Sequence, residues 1–262
     1  MTIVYDQSII VYFDILGFKE MVKNSSALSI WELLTKFRNK SKVKEDEQEM
    51  FGKQFSNFSD TVIISTKIQS KLNKKQPWGI FFHELIEMIY LQVALLQSQK
   101  VFVRGVMTIG HIIHKDNLFF GPGLIKAYEL ERDVSVYPRI IIDPKIIEIY
   151  LTTSLLKSAN HDIITDWSYI KNLIRKSSDG IYFIDYLKAI NTEIDDFDDY
   201  CSFLSLHREL IIENASKFKD LSKISAKYSW LAEYHNEIVK ELITEEKQDS
   251  FLITHKDVKA IV

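Results

Sequence analysis

The stretch Val11-Tyr12-Phe13-Asp14-Ile15-Leu16-Gly17-Phe18 decides how the chain folds. The apolar residues 9–13 predict a buried strand, which ends at the carboxylate of Asp14. Gly17 predicts a turn, and an amphipathic segment follows it. A carboxylate at a strand end, beside a glycine turn and a helix start, is suited to hold Mg²⁺ together with phosphate.

A second carboxylate, Asp60, also lies next to an apolar strand, in Phe58-Ser59-Asp60-Thr61-Val62-Ile63-Ile64. Residues 51–56 and 61–67 predict two strands, and the short polar junction between them predicts a hairpin with Asp60 at its tip. Taken singly, Asp14 is explained by a helix N-cap and Asp60 by the turn. Taken together, they indicate a site for two divalent cations, which would relieve the repulsion between neighbouring carboxylates.

Composition and charge limit the classes of function. The chain has 262 residues, 46% of them hydrophobic, which is enough for the core of an ordinary globular protein. Its net charge of −3 gives no overall basic signal for binding nucleic acid or a membrane. Cys201 is the only cysteine, which excludes an intramolecular disulfide. Since no signal peptide or membrane-spanning run is recognisable, we expect a cytoplasmic protein.

The order of predicted elements indicates the fold class. Helices are predicted at 17–41 and 78–99, on either side of the Asp60 hairpin, and a strand follows at 101–110. With the first strand, this gives the βαββαβ order of a ferredoxin-like α+β core. Such a core brings Asp14 and Asp60 to the same edge of one sheet.

Further elements extend this core. The other predictions are a charged turn at 41–49, helices at 124–132 and 145–156, and strands at 137–142 and 181–186. Helical periodicity continues beyond residue 190. We therefore predict a catalytic domain of residues 1–189 and a C-terminal helical extension of residues 190–262.

The sequence context of three histidines favours structural roles for them. His111 and His114 lie in a predicted hairpin at 111–120, where surface positions are favoured over a metal site. His235 belongs to an aromatic-rich helical run, 228–236, which we interpret as a packed helix rather than a catalytic element.

The residues around both aspartates resemble motifs of the class III nucleotidyl cyclases. Phe13-Asp14-Ile15-Leu16-Gly17-Phe18 is similar to their first metal motif, aromatic-x-Asp-Ile-x-Gly-Phe, and Ser59-Asp60 to their second, usually Gly-Asp. Val103 to Gly110 resembles their next core strand, and the segment from Phe120 resembles their Trp-Gly-x-x-Val-Asn-x-Ala-x-Arg helix. The forms Arg-Gly-x-x-Thr-Ile-Gly and Phe-Phe-Gly-Pro-x-Leu-Ile-x-Ala-Tyr-Glu-Leu-Glu are most similar to the bacterial Pycsar pyrimidine cyclases. The resemblance covers residues 5–187.

The resemblance implies an activity and partners. Pycsar cyclases are homodimers that use two Mg²⁺ or Mn²⁺ ions to convert UTP or CTP to cyclic UMP or cyclic CMP and pyrophosphate. Their product is an anti-phage signal for a separate effector protein. We therefore expect a pyrimidine nucleotide cyclase, with uridylate cyclase as the first choice. The alternatives are an adenylate or guanylate cyclase, and a cyclase-like domain that binds a nucleotide or a protein without catalysis.

Carried over position by position, the resemblance also implies a ligand set. Asp14, Asp60 and the carbonyl of Ile15 would bind the two metal ions. The triphosphate would be held by backbone amides of the turn that follows, those of Leu16, Gly17 and Phe18.

Other positions depart from the purine cyclases. Ser56 and Leu118 stand where those enzymes read the base, Ile125 where they have a ribose-orienting Asn, and Glu129 where they have a transition-state Arg. These departures argue against ATP and GTP and make Ser56 a candidate substrate contact. Tyr128 is a candidate to stack on or hydrogen-bond a pyrimidine, and a packed core or interface tyrosine is the alternative.

Three residues are candidates for the cation that stabilises the transition state: Arg104, Lys126 and Arg132. We favour Arg104 as a catalytic residue, because an arginine beside a glycine on a core strand is costly to bury unless it contacts an anion. An ion pair with an acidic residue of the same chain is the alternative.

Overall fold

The computed structural model describes residues 3–115, 118–160, 162–254 and 257. Its strands are β1 (Asp6–Ile15), β2 (Lys53–Phe58), β3 (Thr61–Lys67), β4 (Val103–Lys115), β5 (Leu118–Phe120), β6 (Ile140–Ile142), β7 (Ile174–Lys176) and β8 (Tyr182–Ile184). Its helices are α1 (Phe18–Asn24), α2 (Ala27–Ser41), α3 (Glu45–Phe51), α4 (Lys71–Lys75), α5 (Ile80–Gln99), α6 (Pro122–Asp133), α7 (Pro144–Thr152), α8 (Ile163–Leu173), α9 (Tyr186–Asn191), α10 (Phe197–Lys217), α11 (Ser222–Leu242) and α12 (Glu245–Phe251).

One mixed sheet contains the strands in the order β2-β3-β1-β4-β6-β8-β7, and β5 pairs with β4. β1 lies between β3 and β4 and is antiparallel to both, whereas β4 and β6 are parallel. The first four strands therefore have the ferredoxin-like arrangement, with helices connecting β1 to β2 and β3 to β4. The predicted α+β fold is confirmed.

β1 is buried on both faces of the sheet. Val11 and Phe13 point into the main core, together with residues of α2 and α5, whereas Ile10 lies in a smaller cluster beneath α6. Alternate residues of a strand point to opposite faces, so a strand covered on both sides needs a continuous apolar run. This explains why residues 9–13 are apolar without alternation.

A close approach of two glycines fixes α6 on the sheet. A Cβ on Gly110 of β4 would lie only 2.5 Å from the Cα of Gly123 in α6. A Cβ on Gly123 would lie 2.6 Å from the side chain of Ile10. Because any larger residue would push the helix away from the sheet, these glycines place α6 directly against β4 and β1.

α5 has the length and mean hydropathy of a membrane span, and it is the one such helix in the described part of the chain. More than half of that apolar window, 56%, is buried inside the protein. Leu85, Ile89 and Leu96, for example, lie in the main core. Packing inside the fold therefore explains the apolar character of α5.

The C-terminal helices share the main core with the sheet. Tyr228 and Leu231 of α11 and Phe203 of α10 are buried in the same cluster as Met107 of β4. The prediction of a packed helix at 228–236 is thus confirmed. The division between residues 1–189 and 190–262 stays a prediction, and residue 190 lies inside α9.

Candidate active site

Strand register brings the two predicted aspartates together. Phe13 pairs with Val62 across β1 and β3, and the tight turn Ser59-Asp60 closes the β2–β3 hairpin, as predicted. The same register places Asp60 beside Ile15, at the end of β1. Asp14 and Asp60 consequently line one open cleft of about 270 Å³.

The cleft lies where β1 turns into α1. Its walls include the turn Leu16-Gly17-Phe18, Arg104 of β4, and Ile224 and Lys227 of α11. Gly17 has φ 77° and ψ 12°, and a Cβ there would contact nothing within 4 Å. Glycine is therefore needed at this position for its backbone conformation rather than for space.

The carboxyl group of Asp60 ionises less readily than that of an ordinary aspartate. Burial, and to a smaller extent the charge of Asp14, raise the pKa of Asp60 to about 6, although hydrogen bonds from backbone amides and the Ser59 side chain oppose the rise. Magnesium and manganese ions prefer oxygen ligands, and a bound cation would stabilise the ionised form of such a carboxyl. The donor set therefore fits these metals, with Asp14, Asp60 and the Ile15 carbonyl as the groups that would hold them.

Arg104 lies directly opposite Asp14 in the β1–β4 pairing. Its Nη2 donates to Oδ2 of Asp14 over 3.0 Å, and the same nitrogen forms an ion pair with Glu131 of α6. Burial opposes the charge of Arg104, but the two carboxylates outweigh this effect and raise its pKa. The ion pair considered as an alternative for Arg104 is thus present, and it lies at the wall of the cleft.

Two charged residues near the cleft were not predicted from the sequence. Glu131 is buried on α6, where burial raises its pKa and Arg104 counteracts the rise. Lys227 reaches the cleft from α11, and burial followed by the charge of Arg104 lowers its pKa. Both positions depend on how helices pack onto the sheet. Glu131 ends the Phe-Phe-Gly-Pro segment of the resemblance, which gave it no role, and Lys227 lies in no motif.

The other candidate cations are engaged elsewhere. Lys126 forms an ion pair with Asp143, and Arg132 forms one with the exposed Asp133. The guanidinium of Arg132 also lies over the ring of Tyr128, 5.4 Å from its centre. Neither cation lines the cleft, so Arg104 is the one of the three that the structure brings to the aspartates.

Ser56 does not line this cleft. Its buried hydroxyl lies 2.9 Å from Nε2 of His114, whose Nδ1 lies 2.8 Å from the hydroxyl of Ser65. Because β4 continues to Lys115, His114 is inside the fold, and the predicted surface position is wrong. Burial lowers the pKa of His114 to about 4, so its imidazole is neutral.

Two more predicted substrate contacts are placed differently from the expectation. The Leu16 amide donates to the carbonyl of Phe102 over 2.9 Å and is therefore not available to a phosphate. Tyr128 is 47% exposed on α6 and touches Tyr12 edge-to-face, outside the cleft lining. Leu16, Gly17 and Phe18 all line the cleft, and the role of the Gly17 and Phe18 amides as triphosphate donors stays a prediction.

A second group of possible metal ligands, His83, Glu84 and Glu87 on α5, lies away from this cleft. The buried ammonium of Lys53 lies between its two carboxylates and forms ion pairs with both of them. Thr66 also donates to Glu84 over 2.8 Å. Because Lys53 already supplies the positive charge, this group is explained as a buried ion-pair network.

Comparisons with known proteins give fold-level likenesses only. No family model and no curated protein matches the chain. The guanylyl cyclase domain of the RhoGC fusion protein from the aquatic fungus Blastocladiella emersonii matches with a TM-score of 0.41 and 11% identity, covering 69% of this chain and 95% of that one. A bacterial light-regulated adenylyl cyclase matches with a TM-score of 0.40 and 12% identity, covering 64% and 97%. Likenesses at this level assign no function to this chain.

Proposed function

We propose that this chain is a nucleotidyl cyclase that converts a pyrimidine nucleoside triphosphate, UTP or CTP, to its 3′,5′-cyclic monophosphate and pyrophosphate. The observation that supports this function best is the joint placement of Asp14, Asp60 and Arg104 in one cleft. Two carboxylates with a guanidinium beside them match what a metal–triphosphate complex needs on the protein side.

In the proposed reaction, the ribose 3′-oxygen attacks the α-phosphorus, and the bond to the oxygen that bridges the α- and β-phosphates breaks. The hydroxyl proton passes to solvent, and pyrophosphate leaves. Asp14, Asp60 and the Ile15 carbonyl would hold two Mg²⁺ or Mn²⁺ ions, which when bound lower the pKa of the hydroxyl and neutralise the leaving group. Arg104 contributes positive charge to the phosphate oxygens, so no side-chain nucleophile is required.

Ser56 and Leu118 support the pyrimidine preference, because they occupy the positions at which the purine cyclases recognise the base. The Ser56 hydroxyl is buried against His114, and Leu118 is an exposed apolar side chain, so neither offers a free polar group to a purine. A smaller base, read by other groups, is therefore the better substrate hypothesis.

A homodimer is the assembly that we propose for the active enzyme. Ile125 is 60% exposed and Tyr128 47% exposed, three positions apart on the outer side of α6. Burying such apolar side chains against a second copy is favourable. The resemblance implies a site that lies across the dimer, in which Tyr128 would approach a nucleotide bound to the partner subunit. Following the resemblance, we further infer a cytoplasmic anti-phage signal that acts through a separate effector protein.

Incubation of the purified chain with ATP, GTP, CTP and UTP, each with Mn²⁺ or Mg²⁺, tests the function and the base together. A cyclic pyrimidine nucleotide identified by mass spectrometry supports the proposal. A cyclic purine nucleotide would retain the reaction but refute the base preference. Absence of product from all four nucleotides, with a folded dimer and either metal, contradicts the proposed function.

A further inference from the structure

α11 belongs to the C-terminal helices, yet it forms part of the cleft. Ile224 and Lys227, three positions apart on one side of α11, both line it. The neighbouring positions Tyr228 and Leu231 are almost completely buried and fix this part of the helix in the core. The position of Lys227 beside the cleft is therefore set by packing rather than by a mobile segment.

The surroundings of Lys227 are unfavourable for a lysine without a ligand. Burial and the neighbouring charge of Arg104 both oppose its protonated form, against weaker support from Asp14 and Glu131. Those two carboxylates are already paired with Arg104. Within the residues that the structure describes, the ammonium of Lys227 has no carboxylate at salt-bridge distance. A partly buried cation in this situation is costly unless an anion comes to it.

We propose that Lys227 binds the polyphosphate tail of the nucleotide in the cleft of its own chain. With Arg104, it would form a cationic side facing the carboxylates that hold the metal ions, and the nucleotide part of this inference rests on the proposed cyclase function. A lysine ammonium is a compact charge on a flexible stem, which suits the oxygens of a leaving pyrophosphate. Lys19 also borders the cleft but is exposed to solvent, where its charge is screened.

This inference gives the C-terminal helices a direct part in the site. Helix α11 would supply a substrate-binding group in cis, in addition to covering the core. Loss of that group should weaken polyphosphate binding whether or not a ribose and a base are attached.

Binding of inorganic tripolyphosphate in the presence of Mn²⁺, measured by isothermal titration calorimetry, tests the inference without requiring turnover. We expect Lys227→Met to weaken binding about ten- to a hundredfold, because a charge-assisted contact is lost. Lys227→Arg should retain most of the affinity. Lys240→Met, which alters an exposed lysine near the other end of α11, is the matched control and should bind like the wild type. Thermal unfolding verifies that each variant is folded, and Lys227→Gln replaces the methionine variant if that one is not.

The outcomes separate this inference from the proposed function. If Lys227→Met and Lys227→Gln, where folded, bind tripolyphosphate as tightly as the wild type, or if the wild type does not bind it, the role of Lys227 is refuted whatever the turnover. If binding weakens at Lys227 while no nucleoside triphosphate is cyclised, the polyphosphate site stands and the cyclase function fails. If both binding and cyclisation are lost in the variant, both proposals are supported.

Discussion

Asp14 and Arg104 are direct partners across the β1–β4 pairing, and their side chains meet with 3.0 Å between Oδ2 and Nη2. Cross-strand partners on one face of a sheet are held in contact by the backbone register. The proposed metal ligand and the proposed phosphate-binding arginine are therefore fixed relative to each other by the same hydrogen bonds that form the sheet. Arg104 supplies a positive charge to Asp14, and a bound metal–nucleotide complex would replace this contact.

Arg104→Met should destabilise the ligand-free protein. The substitution leaves Asp14 and Glu131 close together without their cation, at a cost of about 1–3 kcal/mol in the free energy of unfolding. Urea unfolding in the presence of EDTA measures this loss. Excess Mn²⁺ should recover part of the loss, because a bound cation again compensates the carboxylates.

Arg132→Met is the control for that experiment, since its ion pair with Asp133 lies at the exposed surface. We expect little change in the free energy of unfolding there, because solvent screens this pair. Equal losses in the two variants, or no recovery of Arg104→Met by Mn²⁺, would show that the contact between Arg104 and Asp14 has no special role.

Asp14→Asn should abolish or strongly weaken Mn²⁺ binding, by about tenfold or more, because a charged oxygen ligand is lost. Titration calorimetry or paramagnetic resonance of free Mn²⁺ measures the affinity. Glu20→Gln is the control, since Glu20 borders the same cleft but is paired with Lys23 over 2.7 Å. Unchanged Mn²⁺ affinity in Asp14→Asn would remove this aspartate from the metal site.

Mn²⁺ binding should also depend on pH through Asp60. The cation binds the deprotonated carboxyl, whose pKa is raised to about 6 by burial. Between pH 7 and pH 5 the affinity should fall on the order of tenfold, and in Asp60→Asn this part of the pH dependence should disappear. An affinity that is independent of pH in the wild type contradicts the placement of Asp60 in the metal site.

Ile125→Glu should separate the proposed dimer into monomers and reduce turnover. A carboxylate at this exposed apolar position would have to be desolvated in an interface. Size-exclusion chromatography with light scattering measures the mass. Ile164→Glu is the control, because Ile164 is 80% exposed on α8, which lies elsewhere in the fold. A dimer that survives Ile125→Glu excludes this face of α6 as the interface.

Stability should decrease in mild acid because of two stacked, buried histidines that join α10 to α11. Tyr186 donates to Nε2 of His207, the two Nδ1 atoms of His207 and His235 lie 3.0 Å apart, and Nε2 of His235 donates to the carbonyl of Phe251. Because Nε2 of His235 donates, its Nδ1 accepts from Nδ1–H of His207, and protonation of His235 would set two N–H groups against each other. Protonation of His207 would place a charge in a completely buried site.

Burial lowers the pKa of His235 to about 4 and holds that of His207 well below its ordinary value. The unfolded chain therefore binds more protons than the folded one below about pH 6.5, so stability is complete above that pH and is lost as the pH falls. Each histidine contributes up to about 1.4 kcal/mol per pH unit. Urea unfolding at several pH values should show a shallower slope in His235→Asn, and parallel slopes would refute this linkage.

The two aspartates and the core were predictable because their signals are local. The apolar run before Asp14 and the polar junction around Asp60 each indicate a strand end. The βαββαβ order then places both strand ends at the same edge of one sheet. Glu131 and Lys227 reach the same region only through the packing of α6 and α11, which no spacing in the sequence expresses. The charged segment 41–49 was predicted as a turn, and α3 begins within it because acidic residues support a helix as well as a solvated loop.

The local sequence also led to a wrong prediction for His114, which was expected at the surface. The lysine and aspartate after it predict a hairpin tip with surface side chains. The β4–β5 hairpin is present and pairs His114 with Phe119, but the imidazole is buried. Its two serine partners come from strands β2 and β3, far away in sequence. Such contacts across a sheet follow from register, which the sequence pattern alone does not fix.

The most direct test compares the wild type with Asp60→Asn in the presence of Mn²⁺ and UTP or CTP, following cyclic nucleotide by mass spectrometry and pyrophosphate in parallel. We predict one pyrophosphate for each cyclic pyrimidine nucleotide from the wild type, and a loss of at least about a hundredfold in the folded variant. Release of inorganic phosphate with a nucleoside diphosphate, or full activity in Asp60→Asn, would contradict cyclisation at this cleft.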